Sequence, residues 1–150
     1  MSAEQFREDQ EMRVADYNGR RIAVLTRDEH CPPHVHVDGG TWSARFEFAF
    51  WHNDVHFMDV DPAHTTISSK ELRAIIAIIR ANLPRARKCW WSMCQDICLT
   101  NKYWDHNTTS VVKPVSGKKG LVRIANGTYD DTKSLTTLRF DDLTMLGIQL

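Results

Sequence analysis

No apolar run in this 150-residue chain approaches the length that a membrane-spanning helix needs, so a helical membrane protein is not expected. Formal net charge is zero, which excludes the uniform polycationic or polyanionic character of a chain that works by charge alone. There is no Cys-x-x-Cys pair, no His-Glu-x-x-His, no phosphate-cradling glycine loop and no nucleophile elbow. Internal repeats and coiled-coil heptads are absent too, so no motif-borne chemistry announces itself. Cysteine is sparse, at four residues. Because the stretch Met1 to Glu11 is acidic and polar rather than signal-like, the cysteines are read as reduced thiols of a cytoplasmic protein rather than as disulfides.

The chain does hold enough apolar material for one domain, or one domain with an appendage: 42% hydrophobic residues, with five Trp and six Phe. Its most informative segment runs Glu29-His30-Cys31-Pro32-Pro33-His34-Val35-His36-Val37-Asp38-Gly39-Gly40. A proline pair delivers the chain into a short strand that ends at a glycine turn. Alternation puts His34 and His36 on one face and Val35 and Val37 on the other, with the imidazoles roughly 6 to 7 Å apart.

The next segment, Thr41 to Phe50, alternates polar with apolar residues and reads as a half-buried strand. With Gly39-Gly40 as a two-residue hairpin loop, Val37 faces Trp42, His36 faces Ser43 and His34 faces Arg45. Val35, Val37, Trp42, Ala44, Phe46 and Phe48 then cover the inner side. His34, His36, Ser43, Arg45 and Glu47 collect on the outer, solvent-facing side.

Three readings compete for the histidines. They can simply decorate a strand. They can share a metal ion, with His30, Cys31, Asp38 or Glu47 as further ligands, although a guanidinium at Arg45 opposite His34 counts against a cation there. Or they can form a phosphodiester site, in which Arg45 holds phosphate while one imidazole removes a proton and the other supplies one. Histidine suits that task because its ordinary pKa lies near 6.5. RNA cleavage through the 2′-hydroxyl needs only such a pair and a cation for the developing charge.

The run His30-Cys31-Pro32-Pro33-His34-Val35-His36-Val37, followed by strands and a Lys-Glu-Leu-led helix, resembles an uncharacterised bacterial domain family marked by a Pro-Pro-His-x-His-Val motif. The resemblance covers about residues 10 to 100. His30, Pro33, His34 and His36 match it, whereas Cys31 stands where variation is expected. It implies an α+β fold and a small intracellular protein, often encoded beside another small protein in the manner of toxin and antitoxin pairs. It implies no settled activity, and it leaves the last 50 residues unaddressed.

Charge is unevenly placed: residues 1 to 79 carry 8 basic and 13 acidic side chains, residues 80 to 123 carry 9 and 2, and the remainder 2 and 4. Arg80, Arg85, Arg87, Lys88, Lys118 and Lys119 are the candidate nucleic-acid contacts in this basic block, with Lys102, Lys113 and Arg123 beside them. Trp90, Trp91, Tyr103 and Trp104 are interleaved as possible stacking groups. The plainer account is a solvated helix face and a lysine-rich loop, and Trp90 falls on a helical core stripe.

Asn18-Gly19 between Met12–Tyr17 and Arg20–Arg27 predicts a first hairpin with Asp16 against Arg21. The histidine strand and its partner make a second hairpin, and Asp54 to Val60 supplies a fifth strand. Ser68-Ser69-Lys70-Glu71 has capping-box spacing, after which Leu72, Ile75, Ile76, Ile79 and Leu83 recur at helical intervals. Pro84 ends that helix or opens another, on which Trp90, Met93, Cys94 and Ile97 form a stripe. On such a helix Cys94 and Cys98 share a face while Cys89 lies elsewhere, which disfavours one ion gathering all three. His52, His56, His64 and His106 are single histidines, His56 being the most interesting because it shares the sheet.

These readings combine into an α+β protein: an antiparallel meander of about five strands packed against two consecutive helices over 1–104, and a linker with a small β extension over 105–150. The leading functional expectation is a nucleic-acid-associated protein, a metal-independent toxin-type ribonuclease with His34 and His36 as base and acid and Arg45 as charge stabiliser. It needs no cofactor or metal. A non-catalytic module that binds RNA, another polyanion or a small cognate protein through the basic block is the alternative. A divalent-metal protein is the third.

Overall fold

A computed structural model describes residues 11–27 and 29–150; the acidic N-terminal stretch through Gln10 and the charge at Asp28 lie outside the described residues. Asn18 and Gly19 both take positive φ, 48° and 75°, the conformation a tight two-residue loop requires, and they join β1 (Glu11–Tyr17) to β2 (Arg20–Leu25). Asp16 pairs with Arg21, in the expected register. β3 (His34–Asp38), β4 (Ser43–Glu47) and β5 (His56–Asp61) complete a five-stranded antiparallel meander in the order β1-β2-β3-β4-β5.

The second hairpin differs from the two-residue loop expected. Val37 pairs with Ala44, His36 with Arg45 and His34 with Glu47, so Gly39, Gly40, Thr41 and Trp42 all lie in the loop. The shift is two residues, which keeps every side chain on its predicted face but changes every cross-strand partner. Its cause lies in the glycines. Gly39 donates its N–H to the Trp42 carbonyl at 2.9 Å, and the Trp42 ring lies where a Cβ on Gly39 would stand. Gly40 takes φ +90° and donates to Asp38 Oδ1 at 2.8 Å. Trp42 is therefore a loop residue, not a core strand residue.

Ser68 Oγ accepts from Glu71 N–H at 3.1 Å and caps α1 (Ser69–Ala81). Asn82 separates it from α2 (Leu83–Cys94), which has Pro84 in its first turn. Ile75, Ile79, Leu83, Ala86 and Trp90 bury against Ile22, Val24, Val35, Val37, Ala44 and Phe46 in one cluster. At about 1.5–3 kcal/mol per fully buried large apolar side chain, this contact dominates the hold of the helices on the meander. Gln95 in the left-handed region (φ 49°) ends α2. Cys98 is consequently off the helix, and the shared face expected for Cys94 and Cys98 does not exist.

The C-terminal extension is larger than expected. β6 (Tyr103–Asp105), β7 (Ser110–Val112), β8 (Leu121–Asp130), β9 (Leu135–Phe140) and β10 (Met145–Gln149) form a second five-stranded antiparallel sheet in the order β10-β9-β8-β6-β7. Trp104, Ile124, Tyr129, Leu138 and Phe140 join the same buried cluster as the first sheet, and Thr136 Oγ1 donates to the Phe50 carbonyl at 2.5 Å. Among the described residues no helix is long and apolar enough to cross a membrane.

Candidate metal centre

The alternation of β3 places both imidazoles on one side of the sheet, with ring centroids 5.1 Å apart. The expectation that both face solvent is corrected by the structure. His36 keeps a quarter of its side-chain surface, but His34 is only 2% exposed. Trp90, from α2, lies with its ring centroid 5.3 Å from that of His34 and covers it, and its indole N–H is held by the Asp96 carbonyl at 2.8 Å.

A carboxylate that strand logic does not reach completes the group. Glu29, in the loop ahead of the proline pair, sets Oε2 3.0 Å from His34 Nε2 and Oε1 3.2 Å from His36 Nε2, with its side chain 5% exposed. His30, Cys31, Asp38 and Glu47, the further ligands expected there, are not the partners: among the described residues the donors grouped with the two histidines are those of Glu29, and Cys31 lies instead with Asp96 and Cys98. No sequence signal marks Glu29, which lies in a loop without periodicity three residues before Pro32.

Proton counting defines what this cluster wants. His34 Nδ1 donates to the Pro32 carbonyl at 2.9 Å, and a carbonyl can only accept, so Nδ1 carries the hydrogen. In neutral His34 the Nε2 lone pair then faces an ionised carboxylate. Glu29 Oε2, 3.0 Å away, then receives no hydrogen from that nitrogen, and only a second proton on the ring or a cation would satisfy both atoms. Burial works against charge on both groups. For Glu29 the two imidazoles together outweigh it and hold the carboxyl at about 2. For His34, burial lowers the pKa, but Glu29 and the Pro32 carbonyl outweigh it and the net direction is upward. The cluster thus attracts positive charge, whether as a proton or as an ion that all three donors can share.

Arg45, the predicted charge stabiliser, stands opposite His36 rather than His34. Its Nε donates to Asp59 Oδ1 at 2.9 Å and its Nη2 to Oδ2, a bidentate pair that lowers the Asp59 pKa. The cation expected to oppose a metal is therefore balanced by its own carboxylate. Beyond His36 opens a cavity of about 420 Å³, walled by Ala23, Leu25, Val37, Ser43, Arg21 and Arg27 among others.

The six basic residues proposed for nucleic acid separate. Arg80, Arg85 and Lys88 are exposed on the helices, with Arg85 Nε donating to the Arg13 carbonyl at 2.7 Å. Arg87 is not available to a polyanion: it is 1% exposed and donates to the carbonyls of Ala49 and His52 and to Asn53 Oδ1. It braces the segment after β4 against α2. Lys118 and Lys119 lie in the loop before β8, and Lys118 Nζ is 2.9 Å from the buried Asp105 carboxylate, whose pKa it draws down to about 2. Trp90 and Trp104 are buried, which removes them as stacking groups.

The cysteines are not all reduced thiols. Cys31 and Cys98 form a disulfide, while Cys89 and Cys94 are free. Burial raises the thiol pKa of both free cysteines. His52 Nδ1 accepts from Asp54 N–H at 3.1 Å, and burial lowers its pKa; His56 is exposed across the ladder from Glu47.

Residues 19–90 match the family model described as Domain of unknown function (DUF4160), a narrower span than the resemblance read from the motif, and one that contains Glu29, His34, His36 and Trp90. No curated protein and no solved structure matches the chain.

Proposed function

We propose that this protein binds one divalent metal ion through Glu29, His34 and His36. The observation that carries the reading is the convergence of three buried or half-buried donors: Glu29 Oε2 lies 3.0 Å from His34 Nε2, Glu29 Oε1 lies 3.2 Å from His36 Nε2, and all three groups can reach one point. Two His nitrogens and one carboxylate suit zinc, nickel, cobalt or ferrous iron and leave coordination positions open. His34 has the outer-shell arrangement typical of a ligand, its far nitrogen donating to a backbone carbonyl that fixes ring and tautomer. His36 also lines the neighbouring cavity, which would give a small molecule a route to a bound ion and would suit a reactive or sensing centre better than a closed structural one.

The ribonuclease reading asks both imidazoles to exchange protons with bound RNA. With His34 2% exposed and Arg45 engaged by Asp59, only His36 is open to a molecule as large as RNA, and the metal reading is the better supported. Chelator-stripped protein is to be incubated with zinc, nickel and cobalt, desalted and assayed for metal content. One ion per chain, lost in both His34→Ala and His36→Ala, is expected. Retention of no ion, or equal retention by the variants, would overturn the assignment. Parallel incubation with labelled RNA, with and without chelator, tests the ribonuclease directly.

A second reading rests on exposed Arg80, Arg85 and Lys88 on consecutive helices: a polyanion, RNA first among them, or a small acidic cognate protein docks there in a cytoplasmic setting. Salt-dependent RNA binding weakened by Arg85→Ala and Lys88→Ala is the expected result. Binding indifferent to both salt and these substitutions would discard it.

A further inference from the structure

The loop that carries the carboxylate and leads to the first histidine is tied at its midpoint. Cys31, exposed, lies between Glu29 and His34, and its disulfide reaches Cys98 across a sequence separation of 67 residues. The far end is anchored in a turn built for it. Asp96 Oδ1 accepts the Cys98 N–H at 2.8 Å, and Cys98 takes φ 70°, a left-handed conformation that a non-glycine residue adopts only where its surroundings impose it. The same turn touches the centre by a second route: the Asp96 carbonyl accepts from the indole N–H of Trp90, whose ring covers His34. The near end has one further backbone hold, Phe48 N–H to the Pro33 carbonyl at 3.0 Å. A single covalent bond thus joins the segment that supplies Glu29 and His34 to the segment that seats their cover.

We propose that the Cys31–Cys98 disulfide is a reversible redox tie that holds the Glu29–His34 loop in its ligand geometry, and that opening it loosens this loop. The consequence for ion affinity rests on the metal reading above; the tie itself does not. In a cell, a dithiol reductant is the class of co-reactant required. One of its thiolates attacks the sulfur of Cys31, the exposed member of the pair, Cys98 leaves as thiolate and takes a proton, and the second thiol closes the reductant's own disulfide while Cys31 leaves as thiolate and is protonated. A protein working where such reductants abound would switch with their supply, and one working outside that setting would stay closed.

The test uses the full chain, oxidised and after reduction by a phosphine, which becomes the phosphine oxide with oxygen from water as the two thiols form. The phosphine is then removed under anaerobic conditions. Amide hydrogen exchange at Phe48 and Cys98 is the first readout: reduction is expected to speed both at least about tenfold, as local opening becomes cheaper. Cobalt or zinc titration is the second, with affinity expected to fall about 10–100-fold, the range found when outer supports of a metal site are lost. The double variant Cys31→Ser/Cys98→Ser is expected to match the reduced protein whether or not phosphine was applied. Unchanged exchange on reduction, or a double variant that exchanges like the oxidised protein, would overturn the tie. Faster exchange with no ion bound in either state would support the tie and overturn the metal reading alone.

Discussion

Glu29→Gln separates a metal centre from a structural ion pair, because the two make different demands on the metal-free protein. The Glu29 carboxyl is held down at about 2, so its pairing stabilises the fold above its ordinary value of 4.5 and is lost as pH falls towards 2. His34 is shifted upward, so its share is fully present below about pH 6.5 and is lost as pH rises through the folded value. Their mutual stabilisation therefore peaks between about pH 4.5 and 6.5. At higher pH the neutral His34 imidazole no longer gives the carboxylate a counter-charge. Without metal, Glu29→Gln should then lower the thermal midpoint at pH 5.5 and lower it less, or not at all, at pH 8.5. An ion supplied at a thousand times its Kd adds about 4 kcal/mol to the native state. For a chain of this length that is a rise of about 8–16 °C, at about 2–4 °C per kcal/mol. Replacing one of three ligands by an amide should cost at least the 10–100-fold known for outer-shell losses, about 1.4–2.8 kcal/mol, so the variant keeps at most about two thirds of the rise. Differential scanning fluorimetry at the two pH values, with and without zinc, measures all of this. A wild-type midpoint indifferent to every divalent ion would refute the metal reasoning and, with the loss confined to pH 5.5, leave a structural ion pair; an equal loss at both pH values would refute the ion pair as well.

Other substitutions probe the frame around the centre. Gly39→Ala places a methyl group within the Trp42 ring and should cost about 1–3 kcal/mol in urea unfolding, and a neutral result would argue against the four-residue loop and its register. Trp90→Ala removes the cover of His34 together with a core contact to Phe48, and should cost about 3–5 kcal/mol by the same assay. Arg45→Ala breaks an exposed ion pair and should change stability by no more than about 1 kcal/mol while leaving metal content at one ion per chain. A loss of bound metal in that variant would show that Arg45 acts on the centre directly.

The elements that were legible from sequence are those set by neighbours along the chain. Asn18-Gly19 fixes a loop by backbone conformation alone, and with it the Asp16 to Arg21 register. Ser68 to Glu71 fixes a helix start through one side-chain hydrogen bond. The shared face of His34 and His36 follows from strand alternation, and a two-residue register shift cannot disturb it. Gly39-Gly40 misled because two glycines satisfy the tightest loop, whereas the bulk of Trp42 packing over Gly39 selects a longer one. That preference belongs to side-chain packing and leaves no trace in turn chemistry.

Burial of His34, the Glu29 contact and the Cys31–Cys98 bond were illegible for a common reason: each is decided by a segment distant in sequence or by a loop without periodicity. Trp90 was readable as a helix core residue, but nothing local says that its ring reaches the end of β3 and closes over an imidazole. Glu29 sits outside any strand, so alternation could not assign it a face. Once the carboxylate is in place, the role of the histidines changes. Two outward imidazoles beside a guanidinium are equipped to trade protons with a phosphodiester. One sealed and one quarter-exposed imidazole sharing a buried carboxylate are instead the donor set on which the proposed metal reading rests, and His36 alone of the three lines the adjoining cavity.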